Sequence, residues 1–219
     1  AVKRDTIHMR LSEDCVIFEP EIEGIHVNTI IRIHGYKEPD KVRPVIRDTA
    51  EKMLVEGMSL FDPIIYCRKM PIKSLSGSLL ELKEGNVAFT NPEFGGILKE
   101  CEYIVAFLLT LGYRPDQRSA QLQANDDLLE AVFLETACWL AIERATRSFV
   151  EQIRLTTTSD NCRITRRLAP GYKDWPLSDQ KKIFSLFSND NIQVKLLEGD
   201  CMQPKMSRSG VYGIAPNGV

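Results

Sequence analysis

The chain has 219 residues, 43% apolar and 26% charged, ordinary proportions for one compact domain with a sizeable core. Its formal net charge of −2 excludes a global field that would draw it to nucleic acid or to an anionic membrane. No apolar run approaches about eighteen residues, and the first residues, Ala1-Val2-Lys3-Arg4-Asp5-Thr6, hold no signal-peptide core, so a cytoplasmic protein without a membrane span is expected.

Residues 16–18 and 27–33 read as short strands set between acidic turns. From Asp40, the apolar positions Val42, Val45, Ile46, Ala50, Met53 and Leu54 recur at helical spacing. Pro44 is compatible with a helix that starts just before it, and Gly57 is its expected stop. Asp62-Pro63-Ile64-Ile65-Tyr66 begins another strand. Leu75, Leu79, Leu80 and Leu82, placed around Ser76-Gly77-Ser78, read as a turn and then a strand over 73–85. Asn91-Pro92 suits a helix start, with proline at the first helical position. The following Gly95-Gly96 pair fits a close packing contact in a short helix better than a phosphate-closing loop. The apolar run from Tyr103 to Leu109 is too short for most helices and reads as a buried strand.

From Asp126 to about Arg154 a long scaffold helix is expected, its buried stripe including Ala131, Phe133, Leu134, Ala137, Ala141, Ala145, Phe149 and Ile153. Asp126 and Asp127 suit its positive end, and Arg144, Arg147 and Arg154 its C-terminal half. Residues 162–166 should form a strand, 178–187 a helix, and 194–197 and 210–214 the last two strands. Helices mixed irregularly with strands indicate an α+β fold with an antiparallel or mixed sheet. The six cysteines are scattered without a Cys-x-x-Cys pair, and no two of the three histidines stand four residues apart. Buried free thiols are therefore expected, and no metal site.

The most informative stretch runs from Arg163 to Gln180. Pro170, Gly171 and Pro176 within it cannot continue a helix or sit in a central strand. Pro170-Gly171 is a turn dipeptide, preceded by Arg163, Arg166 and Arg167 and closed by Tyr172 and Trp175. An exposed loop combining cation, aromatic ring and accessible backbone, on a rigid scaffold, is where a binding site is expected.

The run Arg167-Leu168-Ala169-Pro170-Gly171-Tyr172, followed by Asp174-Trp175-Pro176-Leu177 and Gln180, resembles the S-adenosylmethionine-binding loop of the reactivation domain of cobalamin-dependent methionine synthase. It is closer still to small free-standing bacterial relatives of that domain. A second block, Leu196-Leu197-Glu198-Gly199-Asp200-Cys201-Met202-Gln203-Pro204-Lys205-Met206-Ser207-Arg208-Ser209-Gly210, resembles the family's segment of the form Leu-x-Glu…Met-x-Pro-x-x-Ser-x-Ser-Gly. The resemblance covers the activation-domain-like part from about residue 81, most closely the last sixty or so residues, and is weak over 1–80.

The resemblance implies a curved, mainly antiparallel sheet flanked by helices with a C-shaped outline, and S-adenosylmethionine as the bound cofactor. Arg167 matches the arginine that holds the ligand carboxylate, a role suited to a guanidinium because it forms two parallel hydrogen bonds. Backbone at Ala169, Pro170, Gly171 and Tyr172 would read the adenine edge, and the Tyr172 ring would lie near the sulfonium or ribose. Glu198 would line the cleft, where a carboxylate suits the α-ammonium or the ribose hydroxyls. Ser207, Ser209 and Gly210 would form the wall beside a corrin ring, small residues permitting close approach of a flat macrocycle. Arg163 and Arg166 match no ligand-binding position and read as solvated strand residues, and Trp175 reads as packing at the helix start. The sequence departs from the family in two places. It lacks the acidic residue that the family places near its start in an Asp-Trp-Thr-like context, and Asp200 and Gln203 replace large aromatics.

The function implied is that of a reactivation partner for reductive methylation of a corrinoid. In this family an oxidised cobalt centre is reduced by one electron and trapped by the methyl group of S-adenosylmethionine. A separate corrinoid-binding protein or methyltransferase subunit would supply the cobalamin, and a low-potential electron donor the electron. The Asp-x-His-x-x-Gly pattern of many corrinoid-binding domains is absent here. The chain would position a ligand and would not act as a stand-alone catalyst. Two alternatives stay open: a noncatalytic module that binds a corrinoid protein, and a subunit of another corrinoid-dependent methyltransferase.

Overall fold

The apolar run at 103–109 becomes the centre of the sheet, and its side-chain alternation explains the whole layering. In the computed structural model, which describes residues 11–84 and 86–217, this strand is β5 (Tyr103–Thr110), eight residues long and buried almost throughout. Val105, Phe107 and Leu109 enter one apolar core, and Ile104, Ala106 and Leu108 enter another on the opposite face. A strand buried on both sides needs no polar alternation, which is why its sequence reads as continuous hydrophobic.

Around it, β2 (Ile64–Ser76), β3 (Leu79–Leu82) and β4 (Ala88–Thr90) lie on one side, and β9 (Ser207–Pro216) and β6 (Cys162–Ile164) on the other. The order is β4-β3-β2-β5-β9-β6, every pairing is antiparallel, and β1 (Val16–Phe18) pairs with the start of β2. A separate two-stranded hairpin joins β7 (Lys195–Leu196) to β8 (Met202–Gln203). The α+β, mainly antiparallel architecture expected from the sequence is the one observed.

The first core lies under helices α1 (Val27–Ile33), α2 (Pro44–Leu60) and α5 (Leu128–Ser159). The small residues Ala131, Ala137, Ala141 and Ala145 on the buried stripe of α5 let neighbouring backbones come close. Phe107, Phe149 and Tyr212 meet over the sheet, with ring centroids 5.3 Å apart for Phe107–Phe149 and 5.5 Å for Phe107–Tyr212. The second core gathers Phe89, Phe94, Leu108, Trp175, Ile183 and Phe187 under α3 (Phe94–Ile97) and α6 (Gln180–Ser185). Burying each of these large side chains is worth roughly 1.5–3 kcal/mol.

Several local expectations change. Residues 27–33 form α1, not a strand: Ile30 and Ile31 are fully buried against α2 and α5, and this packing overrides their β-branched preference. Gly57 does not end α2, which runs on to Leu60. A Cβ there would lie 3.3 Å from Leu134 of α5, so Gly57 serves helix–helix approach in the interior. Asn91-Pro92 precedes only the single turn of α3, and the Asn91 Oδ1 accepts the Glu93 N–H at 2.8 Å. Gly95 makes the close contact expected of it, since a Cβ would stand 2.7 Å from the Gly77 carbonyl. Residues 73–85 hold the end of β2, a turn and β3, while Gly85 itself lies outside the described residues. Helix α4 (Arg114–Ala124) has no counterpart among the expected elements, because only Pro115 and Leu122 of its eleven residues are buried. Among the described residues, no helix is long and apolar enough to cross a membrane.

Candidate functional site

The Pro-Gly stretch leaves β6 and runs alongside β9 before turning. Thr165 N–H donates to the Gly213 carbonyl at 2.9 Å, and Leu168 exchanges two backbone hydrogen bonds with Val211 at 2.9 and 2.8 Å. Gly210 makes this approach possible: a Cβ would lie 2.7 Å from the Leu168 carbonyl oxygen and 3.2 Å from the Arg167 side chain. The close contact at Gly210 is thus made by the chain's own backbone, and Gly210 is not among the residues that line the cavity described below.

At the turn, Gly171 takes φ 84° and its N–H donates to the Trp175 carbonyl at 2.9 Å. The Tyr172 N–H donates to the Ala169 carbonyl at 3.3 Å. Both donors hold the turn, so neither is on offer to an adenine edge. Trp175 anchors the loop from below. Its ring stands edge-on to Phe89 and Phe94, with centroids 5.5 and 5.0 Å away, and its Nε1–H donates to Asp179 Oδ2 at 2.9 Å. Asp179 is buried and is also paired with Lys182 at 2.8 Å. Trp175 is therefore a packing residue, as its position before the helix suggests. On the outer side Glu93 accepts from Lys173 at 2.8 Å and pairs with Arg166. The Lys173 hydrogen bond, followed by Arg166, holds the Glu93 carboxyl below its ordinary value. Arg163 is likewise exposed and paired, with Glu100.

Arg167 behaves differently from these two arginines. Its Nη1–H donates to the Ser209 carbonyl at 2.9 Å, and its guanidinium lies 5.2 Å from the centroid of the Tyr172 ring. These contacts fix the head while leaving the remaining N–H groups of the fork without a partner among the described residues. One face of Tyr172 is thereby occupied by Arg167, and the ring as a whole is 62% exposed.

Beneath the loop lies a cavity of about 610 Å³. Arg167, Ala169, Pro170, Gly171, Tyr172, Ser207 and Ser209 line it together, so most residues singled out in the sequence converge on one place. Glu198 does not. It lies exposed on the β7–β8 turn and outside the cavity, while Asp200, two residues on, lines it. Ser209 presents its carbonyl to Arg167, and its hydroxyl donates to Gln180 Oε1 at 2.8 Å.

The rest of the wall is not evident from sequence. α5, expected as pure scaffold, contributes Ile142 and the half-exposed Trp139. A signal for Trp139 does exist, since a tryptophan outside the buried stripe of a long helix has no packing reason to be there. Arg208 lines the cavity with its Nη1–H on Thr146 Oγ1 at 2.9 Å and an ion pair to Glu143, both on α5. That pair, with the Arg208 hydrogen bond as its main cause, lowers the Glu143 carboxyl from its ordinary value. Lys205 is tied to Glu135 at 2.7 Å. A smaller cavity of about 240 Å³, around Asp116 and Cys138, shares Lys205 and Met206 with the first. Burial pushes the Cys138 thiol up to about 12, which makes it an inert core residue. Among the described residues no group of His, Cys, Asp and Glu is arranged to hold a metal ion.

This geometry can be set beside solved proteins. The crystal structure of the MetH reactivation domain bound to AdoHcy superposes on this chain with a TM-score of 0.59. The fold is that of the MetH reactivation domain. The match covers 95% of this chain and 80% of that one, at 17% sequence identity. It therefore includes the N-terminal part, where the sequence resemblance is weak. No family model and no curated protein matches the chain.

Proposed function

We propose that this chain binds S-adenosylmethionine in the 610 Å³ cleft and presents its methyl group to a corrinoid held by a separate protein. The observation that carries the reading is the state of Arg167: anchored through one N–H, stacked on Tyr172, and with the rest of its fork free beside the cavity. A guanidinium so placed suits an α-carboxylate, and two paired arginines nearby, Arg163 and Arg166, do not. The volume falls within the range of about 300–1,000 Å³ usual for small-molecule sites. The solved neighbour was crystallised with AdoHcy, the product that S-adenosylmethionine leaves after methyl transfer, which supports the choice of ligand.

A corrinoid held by the partner and reduced by one electron from a separate donor would supply the nucleophile for in-line displacement at the sulfonium methyl. The C–S bond breaks and the neutral thioether S-adenosylhomocysteine departs. The residues of this chain bind and orient. Arg167 holds the tail, while Tyr172, Trp139 and Leu177 form an exposed apolar rim at the mouth against which a flat macrocycle can settle. Such positioning needs no general acid or base. A corrinoid-binding protein or methyltransferase subunit is the partner this reading requires, with a low-potential donor for the electron.

Calorimetry with S-adenosylmethionine tests the reading. Arg167→Ala should weaken binding by about 1.5–3 kcal/mol, the usual range for hydrogen bonds to charged groups. That loss is roughly ten- to hundred-fold. Arg167→Lys should recover part of it, and Arg163→Ala and Arg166→Ala should change little. Equal losses at all three arginines would indicate a diffuse basic patch and remove Arg167 from the site.

A further inference from the structure

The turn between β7 and β8 places at the cleft a carboxylate that the fold holds only through one exposed lysine. Gly199 and Asp200 take φ of 84° and 64° in succession. Left-handed backbone is costly for most residues but tolerated by Asp and Asn. The turn closes through backbone alone: Asp200 N–H donates to the Leu197 carbonyl at 3.1 Å, and Leu197 N–H to the Cys201 carbonyl at 2.8 Å. The Asp200 side chain is only 14% exposed, and its Oδ1 is shielded from solvent with no hydrogen bond among the described residues. Its cation is Lys181, whose Nζ stands 3.2 Å away on a side chain that is 68% exposed. An exposed lysine holds its partner weakly, whereas a shielded acceptor left without a hydrogen bond is unfavourable.

Among the described residues, Asp200 is the one acid that lines the cavity. The cations there are not equivalent. Arg208 is bound to Glu143 and Thr146, and Lys205 to Glu135, which leaves Arg167 as the cation with a free fork. A free guanidinium and a carboxylate held only by an exposed lysine, lining one cavity, are complementary to the two charges of an α-amino acid. We infer that Asp200 receives the α-ammonium group of the ligand and so restricts the cleft to nucleosides carrying an intact amino-acid tail. Lys181 occupies that place until the ligand's own ammonium replaces it. This rests on the cleft being the S-adenosylmethionine site proposed above.

The test pairs one ligand change with one residue change. Wild-type protein and Asp200→Asn are titrated calorimetrically with S-adenosylhomocysteine and with its analogue lacking the α-amino group. Asparagine tolerates the same left-handed backbone, so the variant should melt like wild type. Should it not fold, Asp200→Gly repeats the measurement, since glycine takes positive φ freely. Wild type should prefer the amino-bearing ligand by about ten-fold or more, the difference expected of a charge-assisted hydrogen bond. In Asp200→Asn that preference should nearly vanish, with affinity for the deamino analogue little changed. A preference undiminished in a variant that still binds overturns the role of Asp200 and leaves the ligand-binding reading standing. A wild-type protein that binds neither S-adenosylhomocysteine nor S-adenosylmethionine removes both.

Discussion

The two sequence blocks build the cleft by different physical means. The Pro-Gly loop and β9 form a wall tied into the core: Trp175 is buried between Phe89 and Phe94, Leu168 is bonded to Val211, and Arg208 is bonded to α5. The β7–β8 hairpin forms a wall with little behind it, two residues per strand and an exposed turn at Leu197–Gly199. A wall held by buried aromatics resists change at any one polar contact. A wall held by a turn places its side chains through backbone dihedrals, so the sign of φ at Asp200 decides what faces the cleft. Stability should therefore depend mainly on the first wall, while affinity should depend on one charge from each, Arg167 and Asp200.

The largest effect should come from the anchor of the first wall. Trp175→Ala removes a fully buried ring and leaves Asp179 without its indole donor, at a cost of about 3–5 kcal/mol. Urea denaturation would register it as a lower midpoint, and a loss below about 1 kcal/mol would break the contrast between the walls.

A smaller effect should appear in acid. Glu143 has its carboxyl lowered by Arg208, and Glu93 by Lys173 and Arg166. A carboxylate whose folded value lies below its unfolded one adds stability above the unfolded value and loses it as pH falls through the folded value. Both ties to the first wall should thus weaken progressively below about pH 4.5, the ordinary value of a glutamate carboxyl. The Glu143–Arg208 pair is partly exposed and so screened, and is worth under about 1 kcal/mol. In a protein of this size that is a change of roughly 2–4 °C in Tm. Melting curves between pH 7 and pH 3 should show Glu143→Gln less stable at neutral pH and converging with wild type in acid. Parallel curves would show that the pair contributes nothing.

The smallest effect should be at the turn of the second wall. Glu198→Ala, at an exposed position outside the cavity, should leave stability within about 0.5 kcal/mol and ligand affinity unchanged. A marked loss of affinity would mean that the turn flips when ligand binds and exchanges the roles of Glu198 and Asp200.

Local signals in the chain were enough for β5, for α5 and for the Pro-Gly turn. Each has a cause confined to its own stretch: a run apolar on both faces, a stripe at helical spacing, and two residues with restricted or permissive backbone. The convergence of Arg167, Tyr172, Ser207 and Ser209 was legible through the resemblance of two blocks, and the cavity brings them together. What depends on distant packing was not legible. The β-branched run at 27–33 is a helix because Ile30 and Ile31 meet α2 and α5, and Gly57 is interior because Leu134 crosses it. Gly210 is required by the close approach of the Leu168 carbonyl, forty-two residues earlier in the chain. Trp139 and Arg208 reach the cleft because α5 lies across the end of β9. Glu198 and Asp200 carry the same charge two residues apart, and composition cannot rank them. Two consecutive left-handed residues in a turn decide it, leaving one carboxylate in solvent and the other in the cavity.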